Sequence, residues 1–227
     1  MYMSRARLYP ASDIKAFIRA LCRNPYREHQ LIWSLFAGDP DAGRDFLFRY
    51  EQDHGAAKYF IVSRRRPHDS SGIWDIETKK FAPRLQEGWK LAFVLRANPV
   101  ITVRDRQGKS RRHDVVMHEK HLMQYKALSA ADRPLQHKLV TRGGMRWLTD
   151  RSSACGFTFL PDQVAVVSYQ QHRAAGTGRN KRAIQFSTID FEGVLSVQDA
   201  ARFRQTLFSG IGKARAFGCG LLLVKRI

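Results

Sequence analysis

Apolar and polar positions alternate along YMSRARLY at the start of the chain, which predicts a first strand. SDIKAFIRALCR then shifts to a helical spacing, with Ser12 in place as an N-cap. NPYREHQLIWSLFAG is a stronger helix. Asn24 is a good N-cap, Pro25 suits the first helical position, and Gly38 can end it. DFLFRYEQ and AAKYFIVSRR, on either side of the turn DHGA, predict a hairpin. An irregular stretch with room for a short helix follows, and WKLAFVLRANP reads as another strand, ended near Pro99. This order approximates one βαββαβ unit.

The second half repeats the theme. VITVRD and HDVVM read as strands flanking a turn at Gly108, and EKHLMQYKAL and GMRWLTDRSSACG as helices. QVAVVSYQQ and AIQFSTIDFEGVLSV are strands joined by the basic tip HRAAGTGRNKR. QDAARFRQTLF is a helix, and the unbroken apolar run of CGLLLVKRI predicts a final strand at the centre of its sheet. The expected fold is α+β, two tandem ferredoxin-like (RRM-like) βαββαβ domains. They are expected at 1–97 and 98–227, with the boundary near Asn98.

Charge sharpens this picture. Of the 227 residues, 39 are Lys or Arg against 20 Asp or Glu, a formal net charge of +19. Such a surplus predicts a polyanionic partner. The cations are also clustered: neither Gln163–Ile189 nor Ala200–Ile227 contains a carboxylate, which favours a phosphate-binding face. No run reaches the roughly 18 apolar residues of a spanning helix. The first residues lack the apolar region of a signal peptide. Cys22, Cys155 and Cys219 lie far apart, as expected of reduced thiols in the cytoplasm. No amphipathic helix carries the cations on one face, which argues against a membrane-surface protein.

The chemistry-bearing side chains are sparse. On the helix from Pro25, Leu31, Ile32, Leu35 and Phe36 form the apolar face. Tyr26 and His29, three residues apart, are surface neighbours with Trp33 beside them. A histidine at the edge of the core and an RNA-cleaving site both fit that arrangement. RNA carries its own nucleophile, the 2'-hydroxyl, so a ribonuclease without a metal needs a proton acceptor, a proton donor and cations for the phosphorane. Histidine titrates near neutrality, and Arg23 and Arg27 are at hand as cations. His113, His118 and His121 are spaced H-x4-H-x2-H, which matches no zinc motif; no metal or cofactor is expected. Arg173, Arg179, Lys181 and Arg182, on the basic tip, suit the backbone of structured RNA; a solvated loop is the alternative. In SGIGKARAFGCGLLLV the glycines suggest a phosphate cradle. Yet the loop leaves a helix and enters a strand, the reverse of a P-loop. Gly210, Gly212, Lys213 and Arg215 are therefore read as a seat for an RNA backbone or as a tight structural turn.

YREHQLIWSLF followed by DAGRDFLFRYE, LRANP, FEGVLSVQDA and GIGKARAFGCGLLLV together resemble CasE, the CRISPR RNA-processing endoribonuclease of type I-E Cascade complexes. The resemblance touches both halves; only roughly Asp105–Val164 matches loosely. It implies two ferredoxin-like domains and metal-independent cleavage of precursor CRISPR RNA at the base of the repeat stem-loop. The products would be a 2',3'-cyclic phosphate and a 5'-hydroxyl, with the crRNA retained among the other Cascade subunits. The family's catalytic histidine falls on His29 and its active-site tyrosine on Tyr26. Lys213 stands where the family has a proline, and Arg215 where it has a lysine. A non-catalytic RNA-binding subunit of the same fold is the alternative.

Overall fold

The computed structural model describes residues 1–9, 25–36, 43–53, 56–104, 107–174 and 184–227. In the first sheet, β1 (Tyr2–Leu8), β2 (Phe46–Asp53), β3 (Ala56–Ser63) and β4 (Trp74–Lys80) run antiparallel in the order β2-β3-β1-β4. That is the ferredoxin-like strand order. The alternation along β1 buries Ser4, Ala6 and Leu8. Helix α1 (Pro25–Trp33) and the 3-10 turn Ser34–Phe36 lie on this sheet. Ile32, Leu35 and Phe36 join Phe46, Phe48, Tyr59 and Ile61 in one apolar cluster. The second crossover, residues 64–73, is irregular. The expected helix SDIKAFIRALCR, with Arg23, lies outside the described residues.

The second sheet contains β5 (Lys90–Ala97), with the hairpin of β6 (Val100–Arg104) and β7 (Ser110–Asp114) following it. After helices α2 (Val115–Leu122) and α3 (Gln136–Ser152) come β8 (Phe157–Thr158), β9 (Val164–Ala174) and β10 (Ile184–Val197). Helix α4 (Ala200–Ser209) and β11 (Leu222–Arg226) complete the chain. The sheet order is β11-β5-β10, with β9 and β8 sharing the far edge of β10, so the ferredoxin-like order recurs. Val115, Leu139 and Trp147 from α2 and α3, and Phe203 from α4, share one core with Phe93, Leu95 and Phe191 of the sheet.

Several elements differ from expectation. The strand Lys90–Ala97, assigned to the first unit, belongs to the second sheet, because Leu91, Phe93, Leu95 and Ala97 are buried in the second core. The fourth strand of the first sheet is instead β4. Its sequence WDIETKK has only two apolar positions, the weak signature of a charged edge. Strand β11 is not central but pairs with β5 alone among the described strands. Its apolar run is covered from both sides: Leu222 enters the second core, and Leu221 packs with Leu47 and Val62 of the first unit.

The expected strand HDVVM stops at Asp114, whose carboxylate caps α2 by accepting from the Val116 and Met117 amides at 2.8 and 3.2 Å. Helix α3 starts eight residues before Gly144, where the helix was expected to begin. Gly143 and Gly144 lie inside it and allow close packing: a Cβ at Gly144 would stand 3.1 Å from Ile189, and one at Gly143 3.2 Å from Val115.

Candidate active site

Helix α1 carries Tyr26, Arg27, Glu28 and His29 in one turn. Arg27 is exposed, and Tyr26 and His29 are half-buried. The His29 ring sits 5.5 Å from Trp33 of its own helix, 6.3 Å from Phe46 of β2 and 6.4 Å from Phe217 of the glycine-rich loop. Its Nδ1 is buried with no hydrogen-bond partner among the described residues. Burial lowers the His29 pKa below 6.5, the nearby Arg44 charge lowers it further, and a hydrogen bond with the Ala216 backbone opposes both. The imidazole is therefore mainly neutral at pH 7 and able to accept a proton.

Arg44 completes the cationic surroundings. Burial, then the charge of Arg215, lower its pKa. Composition marked the C-terminal stretch that holds Arg215 as basic, but nothing in DAGRDFLF singles out Arg44, because its neighbour Arg215 is 171 positions away in sequence.

The glycine-rich segment leaves α4 and enters β11, as the order of elements predicted. It is anchored to the end of β5: Gly220 N donates to Arg96 O at 2.7 Å, and Asn98 forms a β-bridge with Lys213. Gly210 (φ +74) packs against Leu47 and the Gly220 carbonyl, and Gly212 (φ +81) against Trp147. The Arg215 guanidinium turns inward, donating to the carbonyls of Gly212 at 3.1 Å and Gly210 at 3.3 Å. Lys213 is exposed. These two glycines are thus packing positions, and Arg215 braces the loop that brings Phe217 to His29.

Arg173 is exposed near the end of β9, while Arg179, Lys181 and Arg182 lie outside the described residues. His113, His118 and His121 line a pocket of about 550 Å³ together with Arg104 and Arg111.

Beneath the site runs an ionic network between the two sheets. Arg96 of β5 grips Asp190 of β10 through two hydrogen bonds of 2.9 Å. Arg49 of β2 reaches the same carboxylate at 3.7 Å. Glu28 accepts a hydrogen bond from Tyr59 and feels the Arg96 charge; burial, the dominant effect, raises its pKa to about 7. The face of α1 opposite solvent is thereby tied to charges from both units.

A family model described as CRISPR associated protein matches residues 1–226. The chain belongs to this family. It is 31% identical over 206 residues to the CRISPR system Cascade subunit CasE of Escherichia coli (strain K12), covering 90% of this chain and 93% of the relative. It is 26% identical over 238 residues to the CRISPR-associated endoribonuclease Cse3 of Thermus thermophilus, covering 99% of each. A structure of Thermus thermophilus Cse3 bound to an RNA representing a pre-cleavage complex matches with a TM-score of 0.70 at 25% identity, over 99% of this chain and 98% of that one. Membership of the CasE family bears out the resemblance read from the helix at Tyr26, from LRANP and from the C-terminal glycine-rich segment. Within the CasE fold, the meeting of α1 with the glycine-rich loop is where the two units share one aromatic and cationic site. Among the described residues, no helix is long and apolar enough to cross a membrane.

Proposed function

We propose that this CasE-family chain is a metal-independent endoribonuclease. It cleaves precursor CRISPR RNA at the base of the repeat stem-loop and retains the mature crRNA with the other Cascade subunits in the cytoplasm. The first unit, with the catalytic helix, passes into the second within residues 81–89. The observation that carries this reading is the seating of His29. It is a half-buried, mainly neutral imidazole among Trp33, Phe46 and Phe217, beside Arg44. The relatives named as a Cascade subunit and an endoribonuclease, and the RNA-bound structure, support the substrate class.

In this reading His29 takes the proton of the 2'-hydroxyl, whose oxygen attacks the adjacent phosphorus. The bond from phosphorus to the 5'-oxygen breaks, the 5'-oxygen takes up one proton, from His29 or from water in exchange with it, and a 2',3'-cyclic phosphate remains. Tyr26, one turn away on the same helix, positions the 2'-hydroxyl or the phosphate. Arg44 and Arg27 stabilise the charge that develops on the phosphorane oxygens. Lys213, Arg173 and the hairpin cations Arg179, Lys181 and Arg182 neutralise RNA phosphates, together with Arg23. Gly210, Gly212 and Arg215 serve by holding the loop under that RNA.

The test is incubation with the cognate repeat RNA in EDTA. Wild type cuts it and leaves a cyclic phosphate, and His29→Ala binds it without cutting. Uncut RNA with wild type would instead favour a non-catalytic RNA-binding subunit.

A further inference from the structure

The rings of His172, Phe186 and Phe217 form a stacked column. His172 and Phe186 are directly opposite each other on β9 and β10, with centroids 4.7 Å apart and planes within 20°. Phe186 and Phe217 are 5.1 Å apart, again within 20°. Phe217 in turn meets His29 edge-on at 6.4 Å. The column therefore runs from the proposed catalytic imidazole to the root of the basic hairpin.

Two features set these rings apart from ordinary core packing. All three are half-buried, and neither Phe186 nor Phe217 belongs to any apolar cluster of the described residues. His172 is also held in one orientation, because its Nε2 shares a 2.9 Å hydrogen bond with Thr188 Oγ1. Its pKa lies below 6.5 through burial and the Arg96 charge, with Asp190 opposing. A fixed, mainly neutral imidazole suits a flat π-face better than a phosphate. Arg173, the next residue, is exposed and can hold the adjoining phosphate.

We propose that the outward face of His172 is a stacking seat for one unpaired base of the RNA, a few nucleotides at most from the cleaved phosphate. The seat rests on the endoribonuclease reading above. A base there extends the column of parallel rings by one, at the spacing that offset aromatic pairs prefer. Because every base offers a π-face, the seat selects for an unpaired nucleotide rather than for a base identity. It thereby fixes which phosphate lies at His29.

The test uses repeat RNA made uncleavable by a 2'-deoxy group at the scissile nucleotide. A series of such RNAs each carries a single abasic site at one of the nearest nucleotides on either side. His172→Ala should weaken binding of the intact RNA about tenfold, and His172→Phe should keep near-wild-type affinity. One abasic RNA should bind wild type about tenfold more weakly and bind His172→Ala no worse than that. The proposal is overturned if no abasic RNA loses affinity for wild type, or if the His172→Ala penalty persists on every abasic RNA. Failure of wild type to cut the unmodified repeat would sink the endoribonuclease reading instead, a result visible in a separate assay.

Discussion

The ring of His29, on a helix of the first unit, lies 6.4 Å from the ring of Phe217, on a loop of the second, at an angle of 70°. Each unit thus supplies one wall of the site. Phe217→Ala should lower single-turnover cleavage about 10- to 100-fold, since small misplacements of a catalytic group are costly. RNA affinity should change less. A variant that cleaves at the wild-type rate would show that the loop does not position His29.

Glu28 makes stability depend on pH. Burial raises its pKa from 4.5 to about 7 against the opposing effects of Tyr59 and Arg96. Between those values the folded chain holds a proton that the unfolded chain has released. Stability therefore falls as pH rises across that window, by about 1.4 kcal/mol per unit, and stays reduced above it. Glu28→Gln removes the titration. In urea unfolding, the variant should gain about 2–3 kcal/mol on wild type between about pH 5 and about pH 8. An unchanged difference would mean that the carboxyl is solvated.

Asp190 balances the half-buried Arg96 at 2.9 Å and the buried Arg49 at 3.7 Å, and accepts from Ser168 at 2.7 Å. Asp190→Ala removes the carboxylate that holds Arg96, while Arg49 keeps Glu51 at 3.3 Å, and should cost about 3 kcal/mol in unfolding free energy. Because Arg49 and Asp190 come from different sheets, the loss should also loosen contact between the units. Faster amide exchange in both β2 and β10 would report this, and exchange confined to β10 would contradict it.

Two neighbours in the glycine-rich loop should behave oppositely. At Gly212 (φ +81) a methyl group would stand 2.9 Å from Trp147, so Gly212→Ala should cost at least about 2 kcal/mol. Lys213 is exposed, and Lys213→Ala should alter stability by less than about 0.5 kcal/mol. It should instead weaken RNA binding and reduce the steepness of its salt dependence. Thermal unfolding and salt-titrated binding separate the two effects.

Much of the fold was legible because its signals are local. The β2–β3 hairpin and the long β10 are rich in aromatic and β-branched residues, and helix α4 has helical spacing with a good cap at Asp199, whose side chain accepts from the Arg202 amide at 2.9 Å. The errors arose where burial comes from elsewhere. Strand β4 is an edge with one polar flank. Strand β11 is apolar because the two units cover it from both sides. The glycines of α3 resemble breakers until Val115 and Ile189 occupy the space they leave.

The residues of α1 by themselves determined that Tyr26 and His29 share a helix face, since 3.6-residue periodicity acts within one turn. The local patterns of QDAARFRQTLF and CGLLLVKRI likewise determined that the glycine-rich loop joins a helix to a strand and is no P-loop. Only tertiary structure decided that Phe217, Arg44 and Arg215 surround that helix, and that His172 is joined to it through Phe186. Those contacts span up to 188 positions of chain, and burial and charge compensation between two sheets, not local spacing, bring them together.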